Sequence, residues 1–319
     1  MFERHDHVEA PLYVATVVFN PIRYRSRWKL YEDFKRHVEA SGAILYTAEV
    51  AFGHRNFCIT ELENPRHLQL RTETEIWHKE KILNLLIQRL PVDWKYVATV
   101  DADVSFVRGD WANETIHQLQ HYQVVQMWSQ AEDLNSHNEG IQNADSFVFS
   151  WMNHIPEEDD CYYAGTSGKH FTWHPGFAWA YRRAALESLG GLIDFGIVGS
   201  GDRHMAKALI GEVDGTIQAG VSDAYRFMLQ LWEDRALRYI KKNIGYVPGK
   251  LLHYWHGPKV SRQYFSRWQI LTDNQFDPVM DLKPDTQGLY QLVVEESRQI
   301  TMRDQLRQYF RTRNEDQLS

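Results

Sequence analysis

Two carboxylates, spaced two residues apart, follow a short apolar segment in the first half of the chain. The segment Tyr96–Val100 runs directly into Asp101-Ala102-Asp103. Side chains at this spacing on an extended backbone point to the same side, so both carboxylates can face one ligand. They offer the hard oxygen donors that Mg²⁺ and Mn²⁺ prefer, and such a metal neutralises a leaving diphosphate. Two solvated acids in a strand-end turn are the alternative interpretation.

A second group of polar residues occurs late in the chain, in the segment His253-Tyr254-Trp255-His256-Gly257-Pro258. Imidazole is a suitable ligand for Mn²⁺, so we interpret His256, beside a glycine, as a third protein ligand of the metal. The structural alternative is a half-buried histidine in an aromatic turn.

A third group is the small-residue segment Gly199-Ser200-Gly201-Asp202, which precedes a helix-like stretch. The small side chains allow a ligand to approach closely, and Gly201 is predicted to border the substrate. Asp202 then lies near a helix start, where its carboxylate can accept a proton from a substrate hydroxyl. The alternative is that Asp202 only caps the helix.

The elements that position these residues alternate between strand-like and helix-like segments. Short β-branched apolar runs predict buried strands, and apolar residues at helical spacing predict amphipathic helices. A Thr72-x-x-Glu75 pattern predicts a capping box that opens a helix, which Pro91 ends. Gly190 and Gly191 predict a left-handed cap after a further helix. The predicted strands are 12–19, 43–52, 96–100 and 123–128, and the predicted helices are 25–38, 72–90, 181–189, 225–241 and 289–309.

This alternation is typical of an α/β fold with a mostly parallel, Rossmann-like sheet and helices on both faces. Ligands of such sheets bind beyond the carboxyl ends of the strands, where Asp101 and Asp103 fall. The polar stretch 134–168, with its acidic run 157–160, is predicted to form loops and a mobile lid. We expect one compact unit, with a nucleotide-binding half (1–110), an acceptor half (111–265) and a helical C-terminal extension (266–319).

Composition narrows the classes of protein. The formal charge of −7 argues against a protein that coats the nucleic-acid backbone. Two cysteines without a CxxC pattern suit a reducing compartment, and no apolar segment is long enough to span a bilayer. We therefore expect a soluble cytoplasmic protein. Aromatic residues make up 13% of the chain, which suits both a packed core and stacking on sugar rings.

In their order, the three motifs resemble the GT-A class of nucleotide-sugar glycosyltransferases. In that class a strand leads into a DxD motif, here Asp101-Ala102-Asp103, and a small-residue turn with an acidic base and a late histidine ligand follow. The segments 177–186 and 189–194 resemble the stretch that the class places between them. The resemblance covers roughly residues 12–262 and implies a GT-A-like fold.

The resemblance also implies roles for individual residues. Asp103 would coordinate the metal, Asp101 would hold the metal or the ribose of the donor, and His256 would complete the metal site. Asp202 would act as the base of an inverting transfer, although the class often has a Glu-Asp pair where Ser200-Gly201 precede Asp202 here. The donor would be a nucleotide-sugar, by class frequency a UDP-sugar, used with Mn²⁺ or Mg²⁺.

Further residues are candidates for contacts with the donor and the acceptor. The donor candidates lie near the first strand, on the next helix, in the DxD motif and after His256; the acceptor candidates lie in the aromatic segments. Each also has an ordinary interpretation as a solvated basic side chain or a core aromatic. For the donor they are Thr16, Phe19, Asn20, Arg23, Arg25, Arg27, Lys79, Ala102, Lys259 and Arg262, and for the acceptor Trp128, Trp151, Trp173, His174 and Trp179.

Three other functions fit parts of the sequence. The segment Asp101-Ala102-Asp103-Val104 nearly fits the first motif of a haloacid-dehalogenase-like phosphatase, but a hundred residues precede it and Gly201-Asp202 lacks a following second acid. A glycosidase would also use paired carboxylates. A carbohydrate-binding protein without catalysis would explain the tryptophans alone. The acceptor stays open among a glycan, a lipid-linked sugar, a protein and a hydroxylated base in DNA.

Overall fold

The computed structural model of the protein describes residues 10–157 and 170–319. The strands are β1 (Leu12–Phe19), β2 (Ile44–Phe52), β3 (His67–Thr72), β4 (Tyr96–Val100), β5 (Val104–Phe106), β6 (Val124–Gln126), β7 (Gln130–Leu134), β8 (Gly140–Ser146), β9 (Phe171–His174), β10 (Ala178–Arg182), β11 (Ile244–Tyr246), β12 (Lys250–His253), β13 (Leu282–Pro284) and β14 (Tyr290–Leu292). The helices are α1 (Arg25–Ala40), α2 (Lys79–Ile87), α3 (Trp111–His121), α4 (Phe147–Met152), α5 (Arg183–Leu189), α6 (Gly201–Ile210), α7 (Asp223–Arg235), α8 (Gln269–Asp273), α9 (Pro278–Asp281) and α10 (Ser297–Thr312).

Seven strands form the main sheet, in the order β11-β6-β10-β4-β1-β2-β3. The strands β4, β1, β2 and β3 are mutually parallel, and only β10 runs against its neighbours β4 and β6 in this sheet. The predicted mostly parallel α/β sheet is therefore confirmed. The chain order reverses between β1 and β4, and ligands of such sheets bind in the crevice beyond the strand ends at this point.

A second sheet of five strands, in the order β5-β12-β7-β8-β9, adjoins the end of β4. Strand β12 pairs antiparallel with β5, so that His253 lies opposite Val104. The backbone N–H of Tyr254 donates to the carbonyl of Asp103 at 2.9 Å. This pairing brings a histidine from late in the chain next to the DxD motif.

Two apolar clusters, one on each side of the main sheet, form the core. One contains the buried faces of α1 and α3, with Phe34, Trp111 and Ile116 among its members. The other contains the buried faces of α2, α5, α6, α7 and α10. Full burial of a large apolar side chain contributes roughly 1.5–3 kcal/mol, so these two layers are what hold the strand ends in place.

Several predicted elements have the expected bounds. Strands 12–19 and 96–100 are confirmed, the second strand begins one residue later than predicted, and α1 continues to Ala40. Gly190 has a φ of 80°, which confirms the left-handed cap after α5.

The predicted capping box at Thr72 is wrong. Thr72 ends β3, a strand that the sequence did not indicate, and its hydroxyl donates to Oε1 of Gln291 at 3.0 Å. Helix α2 begins only at Lys79, after His78, whose side chain makes no capping hydrogen bond. The local Thr-x-x-Glu pattern could not reveal that Thr72 finds a tertiary partner instead of a helix terminus.

The bounds of other elements differ from the predicted ones, because some residues with a helical or loop-like sequence pattern belong to strands. Tyr181 and Arg182 belong to β10 and precede α5. The stretch 134–168, predicted to form loops and a mobile lid, contains β8 and α4. Its residues 158–168, with most of the acidic run, lie outside the described residues. The last helix begins at Ser297, because Tyr290–Leu292 form strand β14.

The C-terminal residues 266–319 contain a two-stranded sheet as well as α8, α9 and α10. Tyr309 and Phe310 of α10 are buried in the core cluster that contains α2. Beyond the helix, the carboxylate of Asp316 accepts the backbone N–H groups of Arg25 and Ser26 at 2.9 and 2.8 Å, at the start of α1. The chain end is thereby fastened to the N-terminal half, and the predicted division at residue 265 stays a prediction.

None of the helices in the described ranges has both the length and the apolar character that crossing a bilayer requires.

We predict that Gly257→Ala destabilises the attachment of the C-terminal segment. Gly257 has a φ of +88°, and an added Cβ would lie 2.8 Å from the carbonyl oxygen of Asn314 and from Cα of Glu315. The left-handed backbone costs an alanine about 1–2 kcal/mol, and the backbone overlap adds about 1–3 kcal/mol. Urea unfolding measures the loss of stability.

The matched control is Gly42→Ala, because Gly42 has a φ of +81° and open space around its added Cβ. It carries only the backbone cost. Equal losses of stability in the two variants would contradict the close packing of Gly257 against the chain end.

Candidate active site

A deep cleft opens at the point where the strand order reverses. The ends of β1 and β4, the first turn of α6, the segment after β12 and the chain end after α10 line it. Thr16, fully buried within β1, donates from Oγ1 to the carbonyl of Val100 at 2.8 Å and fastens the two central strand ends together. The DxD motif therefore leaves the sheet at a rigid position.

Asp103, His253 and His256 form a buried cluster, which we call the metal-ligand cluster. One potential ligand atom from each of the three residues lies within 4.8 Å of the others. Nε2 of His256 is 3.1 Å from Oδ2 of Asp103 and 3.1 Å from Nε2 of His253. The two histidines and the aspartate are each 5% exposed or less, so their donor atoms face one another away from solvent.

A buried carboxylate orients His253. Nδ1 of His253 donates to Oδ1 of Asp133 at 2.5 Å, which leaves Nε2 as the nitrogen that faces Asp103. Burial alone would raise the pKa of Asp133, but His253 and Lys259 hold that pKa below its usual range. A carboxylate behind the outer nitrogen of a metal-binding imidazole is the usual arrangement in proteins, because it sets the tautomer and the ring orientation.

Arginine side chains surround the cluster. Arg27 donates from Nη1 to Oδ2 of Asp103 and from Nη2 to Nδ1 of His256, both at 2.9 Å. Nη2 of Arg262 lies 2.9 Å from Nε2 of His256. Burial, Arg262 and Arg27 lower the pKa of His256 far below its ordinary value, so its ring is neutral.

The charge of Asp103 is maintained by these neighbours. Burial would raise its pKa, but His256, His253 and Arg27 together hold it well below the usual value. Asp103 is thus an ionised carboxylate in a buried position, and its Oδ1 has no hydrogen-bond partner. An orphaned charged oxygen is costly unless a cation or donor completes it.

A second charged group lies on the other side of the DxD motif. Lys79 forms an ion pair with Asp101, and Asp101, Glu80 and Asp202 together raise the pKa of Lys79 against the effect of burial. Burial and the Asp103 carboxylate raise the pKa of Asp101, while Lys79 opposes them. Lys79 therefore links the DxD motif electrostatically to Asp202 on α6.

Glu80 is buried beside this lysine and accepts a hydrogen bond from Nε1 of Trp77 at 3.1 Å. Burial raises its pKa to about 7, with Lys79 opposing and Asp202 adding to the shift. Glu80 is a carboxyl group that can exchange a proton near neutral pH.

The chain end contributes a further carboxylate to the cleft. Glu315 accepts from Nε and Nη2 of Arg27 at 2.5 and 3.0 Å and from Nε of Arg313 at 2.6 Å. Burial would raise the pKa of Glu315, but Arg27 and Arg313 lower it well below its usual value. Glu315 therefore fixes Arg27 in the orientation that reaches Asp103 and His256.

Many of the residues predicted from the sequence do line the cleft. Asp202 lies in the first turn of α6, and both Oδ2 of Asp202 and Cε1 of His174 would be 3.0 Å from an added Cβ on Gly176. His174 is buried and its pKa falls to about 3, chiefly through burial, so it is neutral. The cleft-lining predictions are Phe19, Asn20, Arg27, Lys79, Asp101, Ala102, Asp103, His174, Asp202, His256 and Arg262.

Other predicted residues lie behind the cleft or outside it. Lys259 pairs with Asp133, in the layer behind His253. Arg25 is exposed on α1, and its backbone N–H bonds Asp316. Trp179 is buried in the core and donates to the carbonyl of Pro175 at 2.7 Å, while Trp173 donates to the carbonyl of Ile155 at 2.7 Å. Thr16 bonds the carbonyl of the lining residue Val100, and Gly201 lies between the lining residues Ser200 and Asp202, but neither lines the cleft itself.

Residues that the sequence analysis did not single out complete the site. His253 lies three residues before His256, so an H-x-x-H spacing was a usable signal. Glu80, adjacent to the predicted Lys79, carried no signal of its burial. Arg267, Arg313 and Glu315 belong to the segment predicted as an extension, and nothing local places them at the DxD motif.

We predict that Glu80→Gln weakens the decline in stability with rising pH. The folded-state pKa of Glu80 lies near 7 and its ordinary value is 4.5. A raised pKa means that the folded state favours the protonated carboxyl. The contribution of Glu80 to the free energy of unfolding is therefore complete below pH about 4.5 and is lost as the pH rises through about 7. The loss is at most about 3 kcal/mol.

Urea unfolding of both proteins at about pH 5 and about pH 8 measures this difference. The wild type should lose stability relative to Glu80→Gln at the higher pH. Glu73→Gln is the control, because Glu73 is exposed. A constant difference between wild type and Glu80→Gln would show that the carboxyl titrates normally.

The chain matches no protein-family model and no curated protein. Among solved structures it is similar to a Desulfovibrio desulfuricans protein assigned as a nucleotide-diphospho-sugar transferase, with 10% identity, a TM-score of 0.33 and coverage of 94% of this chain and 98% of that chain. It is also similar to glucosyl-3-phosphoglycerate synthase of Mycobacterium tuberculosis in complex with Mn²⁺, UDP and phosphoglyceric acid (11%, TM-score 0.38, 90% and 88%). A third is Staphylococcus aureus TarS in complex with UDP-GlcNAc (13%, TM-score 0.37, 62% and 53%).

Proposed function

We propose that the protein is a divalent-metal-dependent glycosyltransferase that moves a sugar from a nucleotide-sugar to an acceptor hydroxyl. The observation that carries the proposal is the metal-ligand cluster with Arg27 and Arg262 beside it, at the point of strand-order reversal. A cation site and two guanidinium groups in one cleft suit a diphosphate, whose oxygens bind both metals and arginines.

The residues of the cluster fit a divalent cation. One carboxylate and two imidazoles offer oxygen and nitrogen donors, which suits Mn²⁺ better than an all-oxygen set would. The unpartnered Oδ1 of Asp103 and the orientation of His253 by Asp133 both favour a bound cation. We assign Asp103, His253 and His256 as ligands, with Asp101 next to them at the metal or the donor ribose. A metal held there supplies Lewis-acid neutralisation of the diphosphate leaving group.

Arg27, Arg262 and Lys79 would bind the phosphate oxygens of the donor. Arg27 is held by Glu315 and Asp103, so little side-chain entropy is lost when it meets a ligand. The resemblance to the GT-A class favours a uridine diphosphate donor, with its base near Phe19 and Asn20 at the end of β1. With these assignments, three cationic side chains would stabilise the negative charge of the leaving diphosphate.

Asp202 would accept the proton of the acceptor hydroxyl. It lies at the first turn of α6 within the cleft and on the Lys79 side of the DxD motif. A base opposite the leaving diphosphate gives a direct displacement and therefore inversion at the sugar carbon. The two histidines beside Asp103 favour this metal-dependent transfer over a phosphatase that uses Asp101 as nucleophile.

We predict that Asp103→Asn and His253→Ala each abolish the rise in melting temperature that UDP causes in the presence of Mn²⁺. A ligand that binds only the folded state raises stability by mass action, and both variants remove a metal ligand. Differential scanning fluorimetry with UDP, with and without Mn²⁺, measures the effect.

Asp110→Asn serves as the control, because Asp110 is an exposed aspartate in the loop after β5. An unchanged UDP response in Mn²⁺ for the two cluster variants would contradict the metal assignment. A response that disappears only in His253→Ala would instead exclude Asp103 as a ligand.

We predict that Asp202→Asn keeps metal-dependent donor binding but slows sugar transfer by about 10²-fold or more, as expected for the loss of a general base. The rate is measured by release of UDP from a panel of UDP-sugars and acceptors, and binding is measured by calorimetry. Asp214→Asn, at an exposed position, is the control. An active Asp202→Asn enzyme would place the base elsewhere, with Glu80 the nearest alternative, or indicate a retaining mechanism.

A further inference from the structure

Arg267 is a buried cation that pairs with no carboxylate in the described parts of the chain. Its residue is 6% exposed, and it lines the cleft. Its Nη2 donates to Oγ of Ser200 at 2.7 Å and its Nη1 to the hydroxyl of Tyr309 at 3.2 Å, while Nε has no partner. Within the described ranges, no carboxylate lies at ion-pair distance from this guanidinium.

This arrangement costs stability unless a ligand completes it. Burial of an ionised group without a counter-charge is unfavourable, and hydroxyl partners compensate only part of the lost hydration. The Tyr309 hydroxyl is also shared with Nη1 of Arg313 at 3.0 Å. Burial would raise the pKa of Tyr309, but Arg313 and Arg267 together lower it. One hydroxyl therefore serves as the hydrogen-bond acceptor of two guanidinium groups.

The guanidinium faces the start of α6. Ser200 is the N-cap residue of this ten-residue helix and has a φ of 72°, and its side chain makes no capping hydrogen bond. The N-terminus of a helix carries a partial positive charge and free N–H groups, which favour an anion. Arg267 and the start of α6 therefore point at the same part of the cleft, beside Asp202.

We propose that the acceptor carries an anionic group, a phosphate or a carboxylate, which binds Arg267 at the start of α6 while its hydroxyl meets Asp202. This inference rests on the proposed function, because it takes Asp202 to mark the acceptor side. A single anion at this position supplies the counter-charge that Arg267 lacks.

The side chains to which Arg267 donates differ from those that the donor-side arginines contact, although Tyr264 lies beside both Arg267 and Arg262. The donor diphosphate is assigned to the metal-ligand cluster with Arg27 and Arg262, and the contacts of Arg267 are with Ser200, Tyr309 and the ring of Tyr264 at 4.9 Å. Arg267 also lowers the pKa of His204 on α6, after burial and Arg203.

Two carboxyl groups near this position limit what can bind. Asp202 lies in the same helical turn, and Glu80 lies close to Gly201 and is half protonated near pH 7. An anion can bind Arg267 only if it stays apart from Asp202, as the anionic group and the hydroxyl of one acceptor molecule do. Free small anions should therefore bind Arg267 weakly. An acceptor whose anionic group meets Arg267 and whose hydroxyl meets Asp202 should bind more tightly than a free anion.

The test uses sulfate as the probe. Protein saturated with UDP and Mn²⁺ is titrated with sodium sulfate by calorimetry, with sodium chloride at matched ionic strength as the reference. We expect sulfate to bind the wild type without displacing UDP. Arg267→Met should weaken sulfate binding about tenfold or more and leave the UDP affinity unchanged, since a charge-assisted contact is lost.

Arg267→Lys keeps a cation and should retain part of the sulfate affinity, which covers the case in which Arg267→Met folds poorly. Arg36→Met, at an exposed position on α1, should bind sulfate as the wild type does. Equal sulfate affinity in wild type and Arg267→Met, or no sulfate binding to the wild type, would overturn the proposal. Displacement of UDP by sulfate would also overturn it, because Arg267 would then belong to the donor side. Failure of UDP to bind with Mn²⁺ would refute the proposed function separately.

Discussion

An ionised carboxylate in a buried position, Asp103, is the constraint on which the rest of the site depends. Its charge is compensated by Arg27 and it faces His253 and His256, and its Oδ1 has no hydrogen-bond partner. Each of these neighbours needs a support of its own: Asp133 orients His253, and Glu315 holds Arg27. The supporting contacts of the DxD motif thus extend outward to Asp133 and Glu315, and satisfied partners of this kind are what stabilise a buried polar network.

The two sheets and the chain end meet at this carboxylate. The main sheet supplies Asp103 beyond β4, and the pairing of β12 with β5 supplies His253. The chain end supplies Glu315, and Gly257 allows its backbone to pass close beside His256. The site is therefore complete only when all three parts are folded, so that folding and ligand binding should be tightly coupled.

The cleft holds two sets of cations, which share Tyr264 as a neighbour. Arg27 and Arg262 surround the metal-ligand cluster, while Arg267 faces the start of α6 and Asp202. Lys79 lies between them, paired with Asp101 and near Asp202. A leaving diphosphate at one region and an anionic acceptor at the other would each find its own cations. Different arginines for the two anions would favour correct orientation of the reactants.

The sequence by itself determined the parallel α/β architecture and the place of the DxD motif, because buried strands and amphipathic helices have local periodicities. Its error at Thr72 has the same origin, since a local pattern cannot show that the hydroxyl bonds Gln291. Only the tertiary structure decided that His253 faces Asp103, that Glu80 is buried with a raised pKa, and that Arg267 and Glu315 belong to the cleft. These properties depend on burial and on contacts between distant segments, and neither is encoded in the spacing of neighbouring residues.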